Sequence, residues 1–366
     1  MAPVASGRII AVDAMGGDNG ASAVVAAAVL AFKAELPLDK LVLVGQQDVL
    51  TPLVNAAGLS GEPRLEIVHA SEVIGMDEKP KTSYMKKKDS SMARTIGLLK
   101  DGRVNAAVSC GNTGSLVFHA TLMLRLLDGI TKPAIATVIP TKTSYFVLID
   151  SGANPVAKAE NLMHNAILGS WYAKVVLGLK SPRVGLLSIG TEEGKGNDLT
   201  RESHELLKAI NGTINYIGMV EGLQLFEGNG VDVVVCDGFV GNIVLKTCEG
   251  LAKMVKHFLE DRLRATPVRL VGAALSRGAF KEMKQRMNPD QYGGAPLLGL
   301  NGNLLKAHGS ASSAALFSAI RVATDLVTHD LNSQVVIDVA RANSTGREVA
   351  LKQVEQSRPE PVNSGA

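Results

Sequence analysis

Short apolar segments rich in valine, isoleucine and leucine recur along this chain, and most of them end near a glycine, asparagine or aspartate. Most of them do not alternate apolar and polar residues, which is typical of strands covered on both faces. Helical stretches lie between many of the segments. The repeated order of strand, polar loop and helix predicts an α/β fold with a mainly parallel sheet sandwiched by helices. The predicted strands are Arg8–Asp13, Lys40–Gly45, Arg64–His69, Asn105–Ser109, Ala134–Ile139, Tyr145–Asp150, Arg183–Ile189, Ile214–Val220 and Val231–Cys236.

Two parts of the chain depart from this pattern. A long helical stretch runs from Asn242 to about Met287, and Pro267 should end one helix and begin another. This stretch predicts a helical hairpin that projects from the sheet over residues 243–290. A polar segment with Pro359 and Pro361 follows at 343–366, and we expect it to be disordered. The remaining residues, 1–342, are expected to form one catalytic α/β domain that carries the hairpin.

Bulk composition excludes several classes of protein. The net charge of +3 is too small to indicate nucleic acid as a partner, so electrostatic function must come from local patches. The three cysteines, Cys110, Cys236 and Cys248, are widely spaced and contain no C-x-x-C pair, which argues against a disulfide framework or a zinc site. A reducing cytoplasm fits this usage best. The apolar run Ala21–Phe32 is too short to span a bilayer and predicts a buried helix.

Six glycine-containing loops share polar or charged neighbours, and five of them directly follow predicted strands. In open α/β sheets ligands bind at the carboxyl ends of the strands, so we expect the loops to converge on one anionic site. Gly111-Asn-Thr-Gly114 and Gly241-Asn242 precede helices, whose positive ends favour anions. The loops are Asp13-Ala-Met-Gly-Gly-Asp-Asn19, Ser109-Cys-Gly-Asn-Thr-Gly114, Asp150-Ser-Gly-Ala-Asn154, Gly190-Thr-Glu-Glu-Gly-Lys-Gly-Asn197, Asp237-Gly-Phe-Val-Gly-Asn242 and Lys306-Ala-His-Gly-Ser310.

A plainer interpretation is that the glycines only permit tight turns between strand and helix. That interpretation explains the glycines but not the asparagine, aspartate and lysine residues beside them. Lys195 supplies a point charge suited to an oxyanion or phosphate in the most glycine-rich loop. The sequence contains neither a P-loop nor a good dinucleotide fingerprint.

The residue types offer little for nucleophilic catalysis by the protein itself. No G-x-S-x-G elbow occurs, and Cys110 suits a small buried position at a strand end better than a nucleophile. His308 could donate a proton or bind an anion, although a single histidine is more often structural. Four loop carboxylates could bind a metal, but without ligand spacing we favour helix capping or orientation of lysines, and we predict no metal and no cofactor. These carboxylates are Asp13, Asp18, Asp150 and Asp237.

Taken in order, these loops closely resemble the phosphate acyltransferase (PlsX) family of bacterial phospholipid synthesis. The resemblance spans Ile9 to about Ala323, and its motifs are specific in their joint order. The matching pieces are Val12-Asp-Ala-Met-Gly-Gly-Asp18, Lys87-Lys-Asp-Ser-Ser-Met92, Gly111-Asn-Thr-Gly114, Asp150-Ser-Gly-Ala-Asn154, Ser181-Pro-Arg-Val-Gly-Leu-Leu187, Gly190-Thr-Glu192 with Lys195-Gly-Asn197, Asp237-Gly-Phe-Val-Gly-Asn242, Tyr292-Gly-Gly-Ala295 and Lys306-Ala-His-Gly309.

The resemblance implies a fold similar to isocitrate and isopropylmalate dehydrogenases and to phosphotransacetylases. It implies transfer of a long-chain acyl group from the thioester of acyl carrier protein to inorganic phosphate. Such a reaction must bind phosphate against the thioester and stabilise a tetrahedral oxyanion. Lys195, Asn242 and His308 are the expected catalytic residues. The expected substrate- and phosphate-binding residues are Asp13, Gly16, Gly17, Asn112, Thr113, Gly114, Asn154, Gly190, Gly196, Asn197, Asp237, Gly241 and Lys306.

Two surfaces are expected to bind macromolecular partners. Lys86, Lys87 and Lys88 belong to a basic run, with Lys79 and Lys81, that could dock the acidic carrier protein or could equally be a solvated surface. The hairpin carries six basic residues and one acidic residue between 263 and 287, which suits peripheral binding to an anionic membrane from the cytoplasm. Packing against a second subunit in a homodimer would explain its apolar ridge nearly as well. The ridge residues are Val268, Leu270, Val271, Ala274 and Leu275.

Three alternatives remain open at this stage. A phosphate acetyl- or butyryltransferase that uses coenzyme A would share the chemistry. A metal- and NAD-dependent decarboxylating dehydrogenase would share the fold, but it would need an aspartate cluster and an arginine-rich substrate site, and few arginines occur in the loops. A non-enzymatic membrane scaffold would not need the loop set.

Overall fold

The computed structural model describes residues 7–192, 194–228, 230–286 and 294–356. All nine predicted strands are present to within a residue or two of their predicted ends, and two strands that the sequence analysis did not predict, β10 and β11, complete the sheet. The strands are β1 Ile9–Asp13, β2 Lys40–Gly45, β3 Leu65–His69, β4 Ala106–Ser109, β5 Ala134–Pro140, β6 Tyr145–Ile149, β7 Arg183–Leu187, β8 Asn215–Val220, β9 Val233–Val235, β10 Ala295–Leu298 and β11 Asn303–Lys306.

The helices lie between the strands as the sequence predicts, and the apolar run after the first loop forms α1. Asn112 caps α5 and Asn197 caps α7, each accepting a backbone N–H three residues later. The helices are α1 Gly20–Lys33, α2 Gln47–Ala56, α3 Pro80–Lys86, α4 Ser91–Lys100, α5 Thr113–Leu124, α6 Ala159–Leu177, α7 Asp198–Ala209, α8 Gly238–Arg264, α9 Pro267–Leu275, α10 Arg277–Arg286, α11 Ser313–Thr328 and α12 Leu331–Gln356.

One sheet of eleven strands, in the order β3-β2-β1-β4-β11-β10-β5-β6-β9-β7-β8, runs through the described residues. Strands β3, β2, β1, β4 and β11 are parallel to one another, as are β6, β9, β7 and β8. Between the two groups, β10 is antiparallel to both β11 and β5, and β5 is antiparallel to β6. The sheet is therefore mainly parallel but consists of two halves that run in opposite directions.

This reversal corrects the expectation that all six loops lie at one edge. The loops that follow β1, β4 and β11 leave one edge of the sheet, and those that follow β6, β7 and β9 leave the other. The physical reason is the pair of unpredicted strands, β10 and β11, together with the β5–β6 hairpin, because three successive antiparallel pairings reverse the strand direction. The six loops therefore begin as two sets of three.

Helices cover both faces of the sheet. Alternate residues of β1 and β2 belong to different apolar clusters: Val12 and Leu43 contribute to one, and Ala11 and Val42 to the other. In β6, Val147 and Phe146 divide in the same way between the first cluster and a third, smaller one. Strands buried on both faces need apolar residues at every position, which accounts for their lack of alternation.

The helical region begins at Gly238, a few residues before the predicted 243, and α8 extends to Arg264. Thr266 caps the next helix by accepting from the Arg269 N–H at 3.3 Å, and Pro267 occupies its first turn, as the sequence predicts. The last predicted hairpin residues, 287–290, lie outside the described part of the chain. None of the helices among the described residues combines the length and apolar composition that crossing a bilayer requires.

The segment predicted to be a disordered tail is helical over residues 343–356, which form the second half of α12. That part of the prediction was wrong. Asn343 is anchored rather than solvated, because it accepts a hydrogen bond from His164 Nε2 at 2.7 Å and donates one to the Gly129 carbonyl at 2.9 Å. Residues 357–366 lie outside the described residues.

Candidate active site

The first loop cluster is organised around the buried carboxylate of Asp13, at the end of β1. Its Oδ2 accepts a hydrogen bond from the Ser109 hydroxyl at 2.7 Å, and its Oδ1 accepts the Gly16 N–H at 3.2 Å. A Cβ on Gly16 would come within 2.7 Å of the Gly111 nitrogen, so glycine is needed for the loops after β1 and β4 to approach this closely. Asp13 therefore positions these loops, with both oxygens engaged by the protein.

The loop after β11 joins the same cluster through Gly17 and Gly309. The Asp18 N–H donates to the Gly309 carbonyl at 2.7 Å, and a Cβ on Gly17 would come within 2.6 Å of that oxygen. Gly17 also has a φ of +83°, a left-handed conformation that favours glycine. Asn19 ties the loop further by donating to the Ala311 carbonyl at 3.0 Å. The sequence prediction that these loops converge is confirmed for this set of three.

Lys306 ends β11 at the centre of this cluster. Its ammonium donates to the Ala307 carbonyl, and its pKa is lowered by burial and by the charge of Lys246, while the carboxylates of Asp13 and Asp18 act to raise it. A partly desolvated ammonium gains more from an incoming anion than a fully hydrated one does. Lys306 is thus placed to bind an anionic group.

Cys110 lies beside Lys306, but its thiol is unsuited to nucleophilic attack. Burial raises the pKa of Cys110 to about 12, with Lys306 acting in the opposite direction. The thiolate is the nucleophilic form of cysteine, and this thiol stays protonated at neutral pH. The raised thiol pKa is consistent with the structural role that the sequence analysis favours for Cys110.

His308 is exposed at the rim of the cluster. Its Nδ1 accepts the Ser310 backbone N–H at 3.2 Å and lies 2.9 Å from the Ser310 hydroxyl oxygen. Because Nδ1 is the acceptor, neutral His308 carries its proton on Nε2. The exposed Nε2 can therefore donate to a substrate oxygen.

Asn112, in the loop after β4, uses its side chain to hold the surrounding backbone. Asn112 Oδ1 accepts the Ser115 N–H at 2.8 Å, and its Nδ2 donates to the Met76 carbonyl. These bonds employ Asn112 in capping α5 and in fixing the segment before α3. Thr113 and Gly114 are exposed in the first turn of α5, where backbone N–H groups lack helical partners.

The second loop cluster is organised around Asp150, at the end of β6. Burial raises the pKa of its carboxyl group, while the N–H groups of Ala153, Gly152, Ile135 and Asn154 act to lower it. The shortest of these bonds, from Ala153 and Asn154, are both 2.8 Å. Asn154 also donates its side-chain amide to the Pro133 carbonyl, so its role is to hold the loop.

The loop after β9 packs directly onto this one. Asp237 caps α8 by accepting the Phe239 N–H at 2.9 Å, and the Gly238 N–H donates to the Asn154 carbonyl at 2.9 Å. A Cβ on Gly241 would collide with the Asp150 carbonyl oxygen, so glycine is needed where the helix crosses the loop. Asn242, one position later, is exposed, and its Nδ2 lies 2.6 Å from the position that a Cβ on Gly152 would occupy.

Lys195 lies in the loop after β7, and its backbone N–H donates to the Glu192 carbonyl of the same loop at 3.2 Å. Its aliphatic chain lies over Gly190, where a Cβ would come within 2.9 Å of Lys195 Cγ. Asn197 caps α7 through the Thr200 N–H at 2.9 Å, and Gly196 has a φ of +89°. The loop thus presents an exposed lysine on a turn that is fixed at its C-terminal end; Glu193 lies outside the described residues.

Lys86, Lys87 and Lys88 differ in their surroundings. Lys87 donates to the Val73 carbonyl at 2.6 Å and pairs with Glu78, so it holds the segment before α3. Lys86 and Lys88 are exposed, as are Lys79 and Lys81. Only the exposed lysines are free to meet a partner.

The structure therefore brings Asp13, Gly16, Gly17, Lys306 and His308 together, and separately Asn154, Asp237, Gly241 and Asn242. The sequence analysis overlooked Ser109 and Gly152 as individual site residues, although both lie in its loops; a hydroxyl one strand away from Asp13 was the available signal for Ser109. Over the described ranges, no group of three or more histidine, cysteine, aspartate or glutamate side chains could hold a metal ion.

The fold is shared with solved phosphotransacylases. A phosphotransacetylase from Streptococcus pyogenes matches with a TM-score of 0.58 and 18% sequence identity, over 89% of this chain and 95% of that one. A branched-chain phosphotransacylase from Enterococcus faecalis matches with a TM-score of 0.54 and 15% identity, over 87% and 99% of the two chains. At such low identity the likeness shows the fold alone. It confirms the predicted similarity to the phosphotransacetylase fold.

Closer relatives define the family. The family model described as "Fatty acid synthesis protein" matches residues 9–334. A phosphate acyltransferase from Acidobacterium capsulatum is 46% identical over 90% of this chain and 97% of its own length. One from Desulfitobacterium hafniense is 42% identical over 91% and 98% of the two chains. This chain belongs to the phosphate acyltransferase family, as the resemblance in its loops predicts.

Proposed function

We propose that this protein transfers a long-chain acyl group from acyl carrier protein to inorganic phosphate, and so forms an acyl phosphate for phospholipid synthesis. The observation that carries the proposal is the 46% identity to a phosphate acyltransferase over nearly the whole length of both chains. The loop clusters support it, because they present amide, imidazole and ammonium donors to an anion and require no nucleophile from the protein.

The chemistry of the reaction suits these donors. A phosphate oxygen attacks the thioester carbonyl, the carbon–oxygen bond forms, and the carbon–sulfur bond then breaks to release the carrier thiolate, which takes up a proton. Phosphate is already anionic, so the protein does not need to remove a proton from the nucleophile. What it must supply is orientation of the two substrates and stabilisation of the oxyanion.

We assign roles on this basis. Lys306 binds phosphate, since its ammonium is partly desolvated within a cluster of loops. Asn242 donates to the thioester carbonyl oxygen from the second turn of α8. Lys195 supplies a further positive charge to the tetrahedral intermediate, and His308 donates from Nε2. Asp13, Asn112, Asn154, Asn197 and Asp237 position the loops rather than contacting substrate.

The acyl donor is proposed to dock on the exposed lysines around α3. Lys79, Lys81, Lys86 and Lys88 are exposed there, and Pro80 in α3 lies 3.1 Å from the position that a Cβ on Gly114 would occupy in the phosphate-facing loop. A basic surface beside the site would attract an acidic carrier protein and raise its association rate.

The region α8 to α10 is proposed to bind an anionic membrane surface peripherally and to pair with a second copy in a homodimer. In α9 no residue is buried, and Val268, Leu270, Val271 and Leu275 are exposed apolar residues. A neighbouring apolar set lies on α8 at Leu251, Met254, Val255 and Phe258. Eight exposed apolar residues on two neighbouring helices are typical of an interaction surface.

One assay tests the central proposal. The purified protein is incubated with palmitoyl carrier protein and inorganic phosphate, and acyl phosphate is measured by hydroxylamine trapping. We expect acyl phosphate from the carrier substrate and much less from acetyl-CoA. Efficient turnover of acetyl-CoA, with none of the carrier substrate, would instead identify a coenzyme A-dependent phosphate acetyltransferase.

A further inference from the structure

Residues 71–90 form a segment whose two ends are joined by hydrogen bonds. The Ser71 N–H and hydroxyl group both donate to Asp89 Oδ2, at 3.0 and 2.6 Å, and the Asp89 N–H donates to Glu72 Oε2 at 3.0 Å. The bonds from Ser71, with that from Arg94, lower the pKa of Asp89 to about 2, so its carboxylate is charged at neutral pH. The two ends of the segment are therefore fixed to each other.

Lys87 fixes the interior of this segment. Its ammonium donates to the Val73 carbonyl at 2.6 Å and pairs with Oε1 of Glu78. The same oxygen of Glu78 accepts the Gly75 N–H at 2.8 Å, and the Glu78 N–H closes a turn by donating to the Gly75 carbonyl at 3.3 Å. Lys87 therefore holds the turn Gly75–Glu78 on both sides, through the Val73 carbonyl before it and the carboxylate at its end.

The turn Gly75–Glu78 contacts the first loop cluster. Asn112 Nδ2, in the loop after β4, donates to the Met76 carbonyl. Met76 Cε lies 3.0 Å from the position that a Cβ on Gly309 would occupy, in the loop after β11. Lys87 is thus connected, through one turn, to two of the three loops that form this cluster.

Asn112 connects the turn to the start of α5. Its Oδ1 accepts the Ser115 N–H at 2.8 Å, so one end of the amide is bound to the helix and the other end to the Met76 carbonyl. The N–H groups of Thr113 and Gly114 belong to the first turn of α5 and have no helical acceptor, which suits them to an anion. The direction of these N–H groups therefore depends on where Asn112 is held.

Strands β4 and β11 bring the start of α5 beside Lys306. In the parallel register Ser109 pairs with Lys306, and the Ala307 N–H donates to the Ser109 carbonyl at 3.0 Å. Helix α5 begins shortly afterwards, at Thr113. The Lys306 ammonium and the first turn of α5 therefore lie at the same edge of the same half of the sheet.

We propose that Lys87 is a positioning residue for phosphate binding: by holding the turn Gly75–Glu78 against Asn112, it orients the first turn of α5, which binds phosphate together with Lys306. The inference rests on the proposed function, which supplies phosphate as the ligand. Lys87 does not touch the substrate. When Lys87 is lost, Asn112 is bonded to a carbonyl that is no longer held, and displacement of a binding group by about 1 Å can reduce the rate about 10²-fold.

The test uses two variants that break the connection at different points. Lys87→Met removes the bonds to Val73 and Glu78. Asn112→Ser keeps a helix cap, because serine caps about as well as asparagine, but its shorter side chain cannot reach the Met76 carbonyl. The double variant, the conservative Lys87→Arg and the control Lys100→Met, at the exposed end of α4, complete the set.

Phosphate binding is titrated by phosphorus NMR without an acyl donor, and the KM for phosphate is measured in the acyl-transfer assay. We expect Lys87→Met and Asn112→Ser each to weaken phosphate binding about tenfold, within the effect that a displaced binding group can have. The double variant should be no weaker than the weaker single variant, because both changes break one connection. Lys87→Arg should retain most of the affinity and Lys100→Met all of it. The kcat at saturating phosphate and the KM for the carrier substrate should change little.

A lower melting temperature in Lys87→Met with unchanged phosphate affinity would limit Lys87 to stability and overturn the proposal. A raised KM for the carrier substrate alone would assign Lys87 to docking instead. Additive losses in the double variant would show that Lys87 does not act through Asn112. If Lys87→Met does not fold, Asn112→Ser decides, because an unchanged phosphate affinity there would break the proposed connection.

The two readouts separate this inference from the proposed function. Phosphate binding that depends on Lys87, in a protein that forms no acyl phosphate, would retain the positioning role and remove the function. Normal formation of acyl phosphate, with a KM for phosphate that does not depend on Lys87, would retain the function and overturn the positioning role.

Discussion

Asn242 and Gly152 are in contact at the point where α8 crosses the loop after β6: a Cβ on Gly152 would lie 2.6 Å from Asn242 Nδ2. Gly152 also has a φ of +141°, which side chains rarely adopt. Glycine at position 152 therefore permits both the unusual backbone conformation of the loop and the close approach of the Asn242 side chain. The orientation of Asn242 depends on the absence of a single methyl group.

Gly152→Ala is expected to lower kcat strongly while the protein stays folded. The added methyl group displaces the Asn242 amide, and a shift of about 1 Å in a catalytic group can cost roughly 10²-fold in rate. The measurement is steady-state acyl transfer together with thermal unfolding. Gly212→Ala is the control, because a Cβ there meets no atom within 4 Å. Unchanged kcat in Gly152→Ala would remove Asn242 from the mechanism.

Strands β10 and β11 show why local sequence pattern did not predict the whole sheet. Both strands are four residues long, and the glycine-rich segments around them resemble loops, so apolar pattern alone did not predict them. The nine other strands were predicted because burial on both faces gives most of them a run of apolar residues, although β4 and β9 are no longer than β10 and β11. Strand direction, by contrast, is set by long-range pairing that no local pattern contains, and the reversal at β10 divides the loops into two clusters.

Local sequence pattern was also limited in what it could predict about the candidate active site. The sequence identified the loops, since glycine beside asparagine or lysine is a local signal. It could not distinguish residues that face a ligand from those that hold the loop. Asn112 and Asn242 look equivalent at two helix starts, yet Asn112 is engaged as the cap of α5 while Asp237 takes that role in α8 and leaves Asn242 exposed.

Lys195→Ala is expected to reduce acyl transfer about 10²- to 10³-fold, the usual effect of removing one donor to an oxyanion. Lys195 is exposed, so the melting temperature should not change. The rate is measured at saturating phosphate and carrier substrate. Lys100→Ala, at the exposed end of α4, should behave as the unaltered protein. A turnover near normal in Lys195→Ala would contradict the assigned role.

Charge reversal at Lys86 and Lys88 is expected to raise the KM for acyl carrier protein and to weaken its salt dependence. Complementary charge chiefly increases the association rate, which added salt screens. Lys33→Glu, an exposed reversal at the end of α1, controls for net charge. Lys87→Met should behave differently and lower thermal stability, because it breaks the pairing with Glu78 and Val73. An unchanged KM in the double reversal would exclude docking on these residues.

Stability is expected to fall as the pH drops below about 6.5, where histidine protonates in an unfolded chain. Burial lowers the pKa of His119 and of His164, so the folded protein binds fewer protons than the unfolded one in this range. The free energy of unfolding must therefore decrease with falling pH. Urea unfolding at pH 8 and pH 5.5 measures the effect, and His119→Gln should reduce the difference. An equal pH dependence in that variant would assign the acid sensitivity to other groups.

The apolar ridge of α9 has two proposed roles, binding to an anionic membrane and contact with a second subunit. Val271 and Leu275 are 61% and 85% exposed, so replacing both with glutamate should leave the folded core intact. Insertion into an anionic interface should be lost, because each glutamate adds both a desolvation cost and repulsion from the lipid charge.

Flotation with liposomes that contain phosphatidylglycerol, together with light scattering of the free protein, measures membrane binding and oligomeric state on one sample. Gly272→Ala is the matched control, since it lies on the same helix and a Cβ there meets no atom within 4 Å. We expect Val271→Glu with Leu275→Glu to stay out of the liposome fraction and to keep the oligomeric state of the unaltered protein, because the proposed subunit contact on α8 is not changed. Liposome binding equal to that of the control would exclude the membrane role of α9. Dissociation to monomers, with binding to lipid retained, would assign the ridge to the subunit interface instead.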